Sequence, residues 1–285
     1  MSALESRRAQ RGRKIRIGIF CSVMSLVSVG IVMIYSASAV YADQRYGDSM
    51  FFLKRHLIFL GLGMAVFLVM MLLDPERLRR NATGMLLVVG LALIWVAFFA
   101  PAIGGARRWI PLGGMNVQPS EFAKFALIVF LAKRLSGPNK SFVHFKKDVL
   151  PELLVIALVA GLIFAGRDFG TTVVIGSVSM VMLFAARLPL RYFAMTLGAA
   201  LPLLGAAVIL EPYRIKRVVA FLNPFQDVRD TSFQLYQSLL AIGSGGFTGV
   251  GLGRSQQKLF YLPAAHTDFI FSIIGEEMGF VGASL

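Results

Sequence analysis

Cysteine is almost missing from this 285-residue sequence: the lone Cys21 allows no intramolecular disulfide and excludes a disulfide-stapled scaffold. Charge is scarce too. Asp, Glu, Lys and Arg make up 15% of the chain, where a soluble domain carries about 25%, while 56% is hydrophobic and the mean hydropathy is +0.71. That leaves too little polar surface to coat a water-soluble core, so a soluble globular domain is excluded. Histidine is equally thin: His56, His144 and His266 are far apart and, with Cys21 solitary, supply no zinc-ligand cluster. Tandem repeats, low-complexity tracts and Gly/Ser linkers are absent. Acidic residues are the rarer sign, 15 against 29 Lys and Arg, for a net charge of +14. In a soluble chain that excess would suggest nucleic acid; on a chain this apolar it concerns the two faces of a bilayer, and no nucleic acid is expected.

What is present is a series of long apolar runs. They fall at Ile17 to Val40, Phe51 to Leu73, Gly84 to Pro101, Phe122 to Ala132, Val149 to Ala165, Thr171 to Ala186 and Leu190 to Leu210, with an eighth opening near Asp268. This predicts an all-α, polytopic membrane helix bundle forming a single domain over residues 1–285. The first run follows a basic head and contains Ala37-Ser38-Ala39, as a signal peptide would. A cleavable apolar region is about 7–15 residues, whereas this run can cross roughly 30 Å of hydrocarbon, so a retained helix is expected. The fourth run is too short to span unless Val117 to Glu121 also lie at membrane depth.

With the basic head (residues 1–16) placed in the cytoplasm, the inner segments carry Arg77, Arg79, Arg80, Lys133, Arg134, Lys140, Lys146, Lys147, Arg187 and Arg191. More than half of the 29 basic residues then lie inside, as the positive-inside rule requires. The others, among them Lys54, Lys216, Arg217, Arg229 and Arg254, fall on the outer half. There the largest non-membrane segment, about 211–267, joins a basic helix-like stretch, Tyr213 to Leu222, to a Gly-rich region, Gly243 to Gly253. Gly249, Gly251 and Gly253 have no parallel-sheet context and do not read as a nucleotide site.

Ionisable groups at membrane depth cost about 2.5–3.5 kcal/mol each on insertion scales, so they mark sites or partners. Gln118-Pro119-Ser120-Glu121 opens the fourth run: Pro119 suits a helix start, Ser120 a cap, and Glu121 with Lys124 an i, i+3 ion pair. Arg107-Arg108-Trp109 reads either as a headgroup anchor or as a pair of guanidinium forks for phosphate. Arg167-Asp168 reads as a local ion pair at a helical hairpin. His266-Thr267-Asp268 stands at the mouth of the eighth run, where Asp268 could be a helix cap; Glu276 and Glu277 lie deep within that run and suit architecture better than catalysis. Carboxylates beside cations on one side of a bundle suit an anionic, lipid-linked substrate whose phosphate stays at the interface.

The motifs Asn116-Val117-Gln118-Pro119-Ser120-Glu121-Phe122-Ala123-Lys124 and Leu262-Pro263-Ala264-Ala265-His266-Thr267-Asp268-Phe269-Ile270-Phe271 closely resemble the SEDS family, the FtsW/RodA/SpoVE peptidoglycan glycosyltransferases. Glu211-Pro212-Tyr213-Arg214-Ile215, Asn223-Pro224-Phe225 and Ser255-Gln256-Gln257-Lys258-Leu259 bring the chain nearest to the FtsW branch. The resemblance implies a ten-helix fold, about eight helices of it in this chain, that polymerises lipid II at the outer face of the bacterial cytoplasmic membrane. A class B penicillin-binding protein and other division proteins at the septum would be its partners. It places the essential carboxylate at Asp268 and the family's other characteristic groups at Glu121, Lys124, Arg108 and Trp109. Arg107, Gln118, Ser120, Asp168, Arg214, Lys258 and His266 complete the candidate substrate-binding set. The turn Gly166-Arg167-Asp168-Phe169-Gly170-Thr171 departs from the family's usual Gln-Pro-Asp-Leu-Gly-Thr. The family's last two helices and its C-terminal Gly/Ser-rich motif would lie beyond Leu285, so the chain is expected to be a fragment.

Two other readings stay open on the residues alone: a lipid II flippase using the same carboxylates and cations, and a non-catalytic scaffold that docks division proteins. An elongation-type, RodA-like polymerase is the alternative within the family. No cofactor is assigned and no metal site is read; a divalent cation sharing the pyrophosphate's charge is left open.

Overall fold

The computed structural model describes residues 3–102, 105–112, 115–137, 142–228, 230 and 232–285. Lys140 and Arg229, two of the cations assigned to the inner and outer sides, lie outside the described residues. The described chain is almost entirely helical, in the order α1 (Ala3–Tyr46), α2 (Phe51–Leu72), α3 (Pro75–Phe99), β1 (Ile110–Leu112), β2 (Met115–Val117), α4 (Pro119–Leu135), α5 (Leu150–Ala165), α6 (Phe169–Ala185), α7 (Leu190–Ile209), α8 (Pro212–Leu222), α9 (Phe233–Gly245) and α10 (Ile270–Ser284). Eight of these helices follow the apolar runs. The other two, α8 and α9, fall within the long loop.

Among the described residues, five helical stretches are long and apolar enough to cross a membrane: Gly12–Tyr46, Phe51–Leu72, Pro75–Phe99, Phe145–Ala165 and Leu190–Ile209. The protein is a multi-pass membrane protein. Its lipid-facing character is plainest in α2, which buries no residue at all. An apolar face open to hydrocarbon costs nothing there, so what holds the helices together is packing and polar contact.

Helix starts follow local chemistry. Asp74 caps α3 by accepting from the Glu76 N–H at 3.1 Å, with Pro75 in the first turn. Pro119 opens α4, as the sequence predicts, but the cap position is Gln118 without a side-chain cap bond, so Ser120 is not the cap. A single π-helical turn, Phe145–Val149, leads into α5. The short β1/β2 hairpin is antiparallel and pairs Ile110 with Val117 and Leu112 with Met115. Its three-residue strands are too brief to show a two-residue period in sequence and leave the helical fold class unchanged.

Two compact units divide the chain. One comprises residues 70–206; its core is built where α3, α4, α5 and α6 meet, with Leu93, Leu127, Leu131, Val159, Ile163, Ile175 and Leu183 all buried. A cross-helix ion pair reinforces it: Arg134 Nε of α4 donates to Glu152 Oε1 of α5 at 3.0 Å, with Glu152 fully buried. The other unit comprises residues 1–69 and 207–285. Its core joins Met33 and Ala37 of α1 to Leu262 and Ala265 of the loop and Ile273 of α10.

In this second body α10 is broken. Gly279 leaves helical geometry with φ 66° and ψ −171°, and the Gly-rich segment fills the gap with strand-like bonds. Val250 N–H and Gly251 N–H donate to the Glu276 and Glu277 carbonyls, both at 3.0 Å, while Phe280 N–H donates to Gly246 O at 2.8 Å and Val281 N–H to Phe247 O at 3.1 Å. Broken helices persist at membrane depth only where protein supplies the freed backbone groups with partners. A Cβ on Gly249 or Gly279 would overlap the facing backbone, and both have positive φ, so the close approach requires glycine at each.

Candidate functional site

The candidate residues separate between the two units. In the 70–206 unit, the β1/β2 hairpin ends at Val117 and hands the chain to Gln118, whose Nε2 donates to Asp168 Oδ2 at 2.9 Å. Asp168 is buried at the start of α6, where Oδ1 accepts the Thr171 N–H at 3.2 Å and so caps the helix. Its ionic partner is not Arg167, as the adjacent residues suggest, but Arg108, with Nη1 at 3.9 Å. Arg167 has φ 62°, and its guanidinium reaches Gly105 O at 3.5 Å instead. Arg108 Nη2 also donates to the Arg167 carbonyl at 3.1 Å. Gly166 makes this possible: a Cβ there would lie 2.6 Å from the Arg107 carbonyl oxygen.

Arg107 turns the other way, donating from Nη1 to Phe98 O in the last turn of α3 at 3.1 Å, where a cation also meets the negative end of the helix dipole. Ser120 is buried. Its Oγ and the Arg108 Nε lack a hydrogen-bond partner among the described residues, and both residues line a cavity of about 10 Å³ with Asp168 and Gly166. That space is on the scale of a single water and excludes a sugar. Arg108, Asp168 and Gln118 therefore form a brace between the two flanks of the hairpin and the start of α6, with the buried Ser120 beside it. Glu121 and Lys124 form the expected i, i+3 pair at 2.8 Å, with Glu121 exposed; a pair this open adds little to stability. Trp109 is half-buried just ahead of β1.

In the other unit the loop leading to α10 is fastened at four levels. Lys258 Nζ donates to Glu277 Oε1 at 2.8 Å and to Ser36 Oγ at 3.1 Å, and Ser36 Oγ donates to the same carboxylate. The side chains of Lys258 and Glu277 are 7% and 0% exposed, so the ammonium of this candidate cation is answered inside the fold. Glu276 accepts from Ser255 Oγ and, at 3.0 Å, from the Gln256 N–H. Leu262 and Ala265 pack on α1. His266 then stacks on Tyr41 at 5.2 Å and lies 4.5 Å from the Phe52 ring. Arg214, in α8, donates to Ala207 O at 2.6 Å.

Asp268 is exposed beyond these fastenings, immediately before α10. It is not the cap: that position is Phe269, and no side chain caps the helix. Its carboxylate has no hydrogen bond or ion pair with any of the described residues. Glu121, Asp168, Glu276 and Glu277 are all engaged. Among the described residues, no three His, Cys, Asp or Glu side chains are grouped to hold a metal ion.

These arrangements meet a clear set of relatives. The family described as "Cell cycle protein", FTSW_RODA_SPOVE, matches residues 17–285. The chain belongs to the FtsW/RodA/SpoVE family. It is 44% identical over 264 residues to the probable peptidoglycan glycosyltransferase FtsW of Trichlorobacter lovleyi, covering 91% of this chain and 69% of that protein. Stage V sporulation protein E of Bacillus subtilis is 40% identical over 264 residues, 91% and 72% of the respective lengths. Among solved structures, a chain of a peptidoglycan synthase complex described as coordinating polymerization and crosslinking superposes with a TM-score of 0.72 at 29% identity, covering 94% of this chain and 72% of that one. The rod shape determining protein RodA of Thermus thermophilus gives 0.62 at 27% identity, with 94% and 68% coverage.

Several functional-looking residues escape a reading of sequence alone. Ser36, Glu152, Tyr41 and Phe52 belong to no motif. Ser36 and its neighbour Ser38 left one usable signal, two hydroxyls near the end of the first apolar run.

The aromatic nest has a consequence for pH. Burial lowers the His266 pKa below its ordinary value of about 6.5, so the ring is neutral at pH 7. The unfolded chain takes up this proton more readily. The ring's contribution to stability is therefore complete above about pH 6.5 and is lost as pH falls from there through the depressed native value. His266→Phe keeps a ring in the stack without the titration. Its thermal midpoint in detergent is expected to fall less than the parent's between neutral and mildly acidic pH; identical slopes would remove His266 as the cause.

Proposed function

We propose that this chain is a peptidoglycan glycosyltransferase that polymerises lipid II on the outer face of the cytoplasmic membrane during cell division, with Asp268 as its general base. The observation that carries the assignment is the free, exposed carboxylate of Asp268 on a loop that buried contacts hold in place. A general base must reach the proton it removes, and a carboxylate already bonded within the fold is poorly placed for that. Asp268 takes the proton from the acceptor sugar hydroxyl as that oxygen bonds to the anomeric carbon of the donor. The bond from that carbon to the pyrophosphate breaks, and the lipid pyrophosphate departs as an anion. Cationic side chains stabilise the departing charge, and Arg214 is the candidate within the same unit.

In this reading the N-terminus lies in the cytoplasm, and a class B penicillin-binding protein crosslinks the strands at the septum. A flippase would need ionisable groups along a path to both faces. The test is reconstitution of the chain in vesicles with fluorescent lipid II, scoring glycan polymer and transbilayer movement separately. Polymer from lipid II supplied on one face is expected. Movement across the bilayer without polymer would overturn the assignment in favour of a flippase.

A further inference from the structure

We infer that α8 is a membrane-surface helix that docks its apolar face into the bilayer and its cations onto anionic phospholipid headgroups. The chain's own geometry brings it there. The 20 residues of α7 rise about 30 Å, one hydrocarbon thickness, so its end at Ile209 lies at the interface. Only Leu210 and Glu211 separate it from α8. Within α8, Ile215, Val218, Val219 and Leu222 share about 100° of the helix surface, and all four are exposed, Leu222 by 67%.

The buried residue of α8, Ala220, lies away from that arc, and every residue of the arc is left open. Arg214, Lys216 and Arg217 are the helix's only charged residues, and Lys216 and Arg217 are exposed outside the apolar arc, Lys216 on its flank and Arg217 across from it. Arg217 sits 4.8 Å over the Tyr213 ring, a pairing suited to the headgroup belt. A short helix with one apolar face, several cations and no acid is the pattern of an interfacial helix, and the charge sign selects anionic lipid over zwitterionic. This inference rests on α7 crossing the membrane and not on the assignment of Asp268.

The test uses the whole chain, in a Cys21→Ser background, with a spin label at Val219→Cys or at Lys216→Cys. It is reconstituted in phosphatidylcholine vesicles with and without phosphatidylglycerol. The label at position 219 is expected to be relaxed more by lipid-soluble oxygen than by an aqueous nickel chelate, and the label at position 216 the reverse. Adding phosphatidylglycerol should strengthen the contrast. Lys216→Gln with Arg217→Gln, carrying the label at position 219, should reduce the docked-to-undocked ratio in phosphatidylglycerol vesicles about 30-fold, at about fivefold per cation. Equal aqueous access at positions 219 and 216 would show that α8 stands clear of the bilayer. A label at position 219 that becomes shielded only when a partner protein is added would assign the face to that protein. Docking indifferent to phosphatidylglycerol would overturn the headgroup half of the inference.

Discussion

Asp268→Asn is expected to cut polymerisation of lipid II by about 10²–10⁴-fold while leaving the protein expressed, inserted and folded. The size follows from the role: general-base assistance typically supplies that much of the rate, and the amide cannot accept the acceptor's proton. The sparing of the fold follows from the structure. The carboxylate is exposed, holds no described residue and does not cap α10, so the substitution removes no internal bond. The measurement is polymer formed per unit of purified, reconstituted protein, alongside the thermal midpoint of the same preparation. Parental turnover would remove Asp268 from the chemistry. A large fall in the thermal midpoint would show instead that the side chain has a structural load.

Lys258→Met is expected to act in the opposite way, through the fold. Lys258 and Glu277 are both buried, and Glu277 also accepts from Ser36, so the pair joins the loop, α10 and α1. Removing the ammonium leaves a carboxylate desolvated without its counter-charge, which costs about 3–5 kcal/mol when one partner of a buried pair is deleted. The double variant Lys258→Met with Glu277→Gln buries no net charge and should recover most of that loss, because two neutral groups need no counter-ion. Unfolding midpoints in detergent for the parent, each single variant and the double variant decide the matter. A single variant as stable as the parent would show that the pair is not held as a buried ion pair. The contrast with Glu121 and Lys124 is one of exposure: at the same 2.8 Å, that open pair should change stability by no more than about 1 kcal/mol when broken.

The placement of the spans was legible because it depends on local properties. In hydrocarbon each backbone group must find its partner within its own helix, so an apolar run of sufficient length is already a helix. Pro119 marks the start of α4 for an equally local reason, while the start of α3 at Pro75, ahead of the apolar run from Gly84, came from the structure. The motif around Asp268 was legible as a family resemblance, and Glu277 packs as the architectural group its depth suggested, yet Lys258 reads differently in isolation from the way it packs. Lys258 suggests a phosphate contact until its carboxylate partner is seen. Arg167 and Asp168 suggest a local pair until Arg108 is found against the carboxylate. Ser120 suggests a cap until its buried Oγ is found inside α4.

The sequence by itself determined that this is a helical membrane protein of the FtsW/RodA/SpoVE family, where its apolar helices run, and which carboxylate to test first. Only the tertiary structure decided which charges are spent inside the fold and which remain outside it. The partners of those charges lie far along the chain: 50 residues separate Gln118 from Asp168, and 241 separate Ser36 from Glu277. No periodicity or spacing reports a contact of that range. The physical reason is that a charge buried in low dielectric must be matched by a neighbour in space, and packing alone chooses that neighbour. Asp268 is one of the exposed carboxylates to which packing gave no partner among the described residues, and the family motif singles it out from the others.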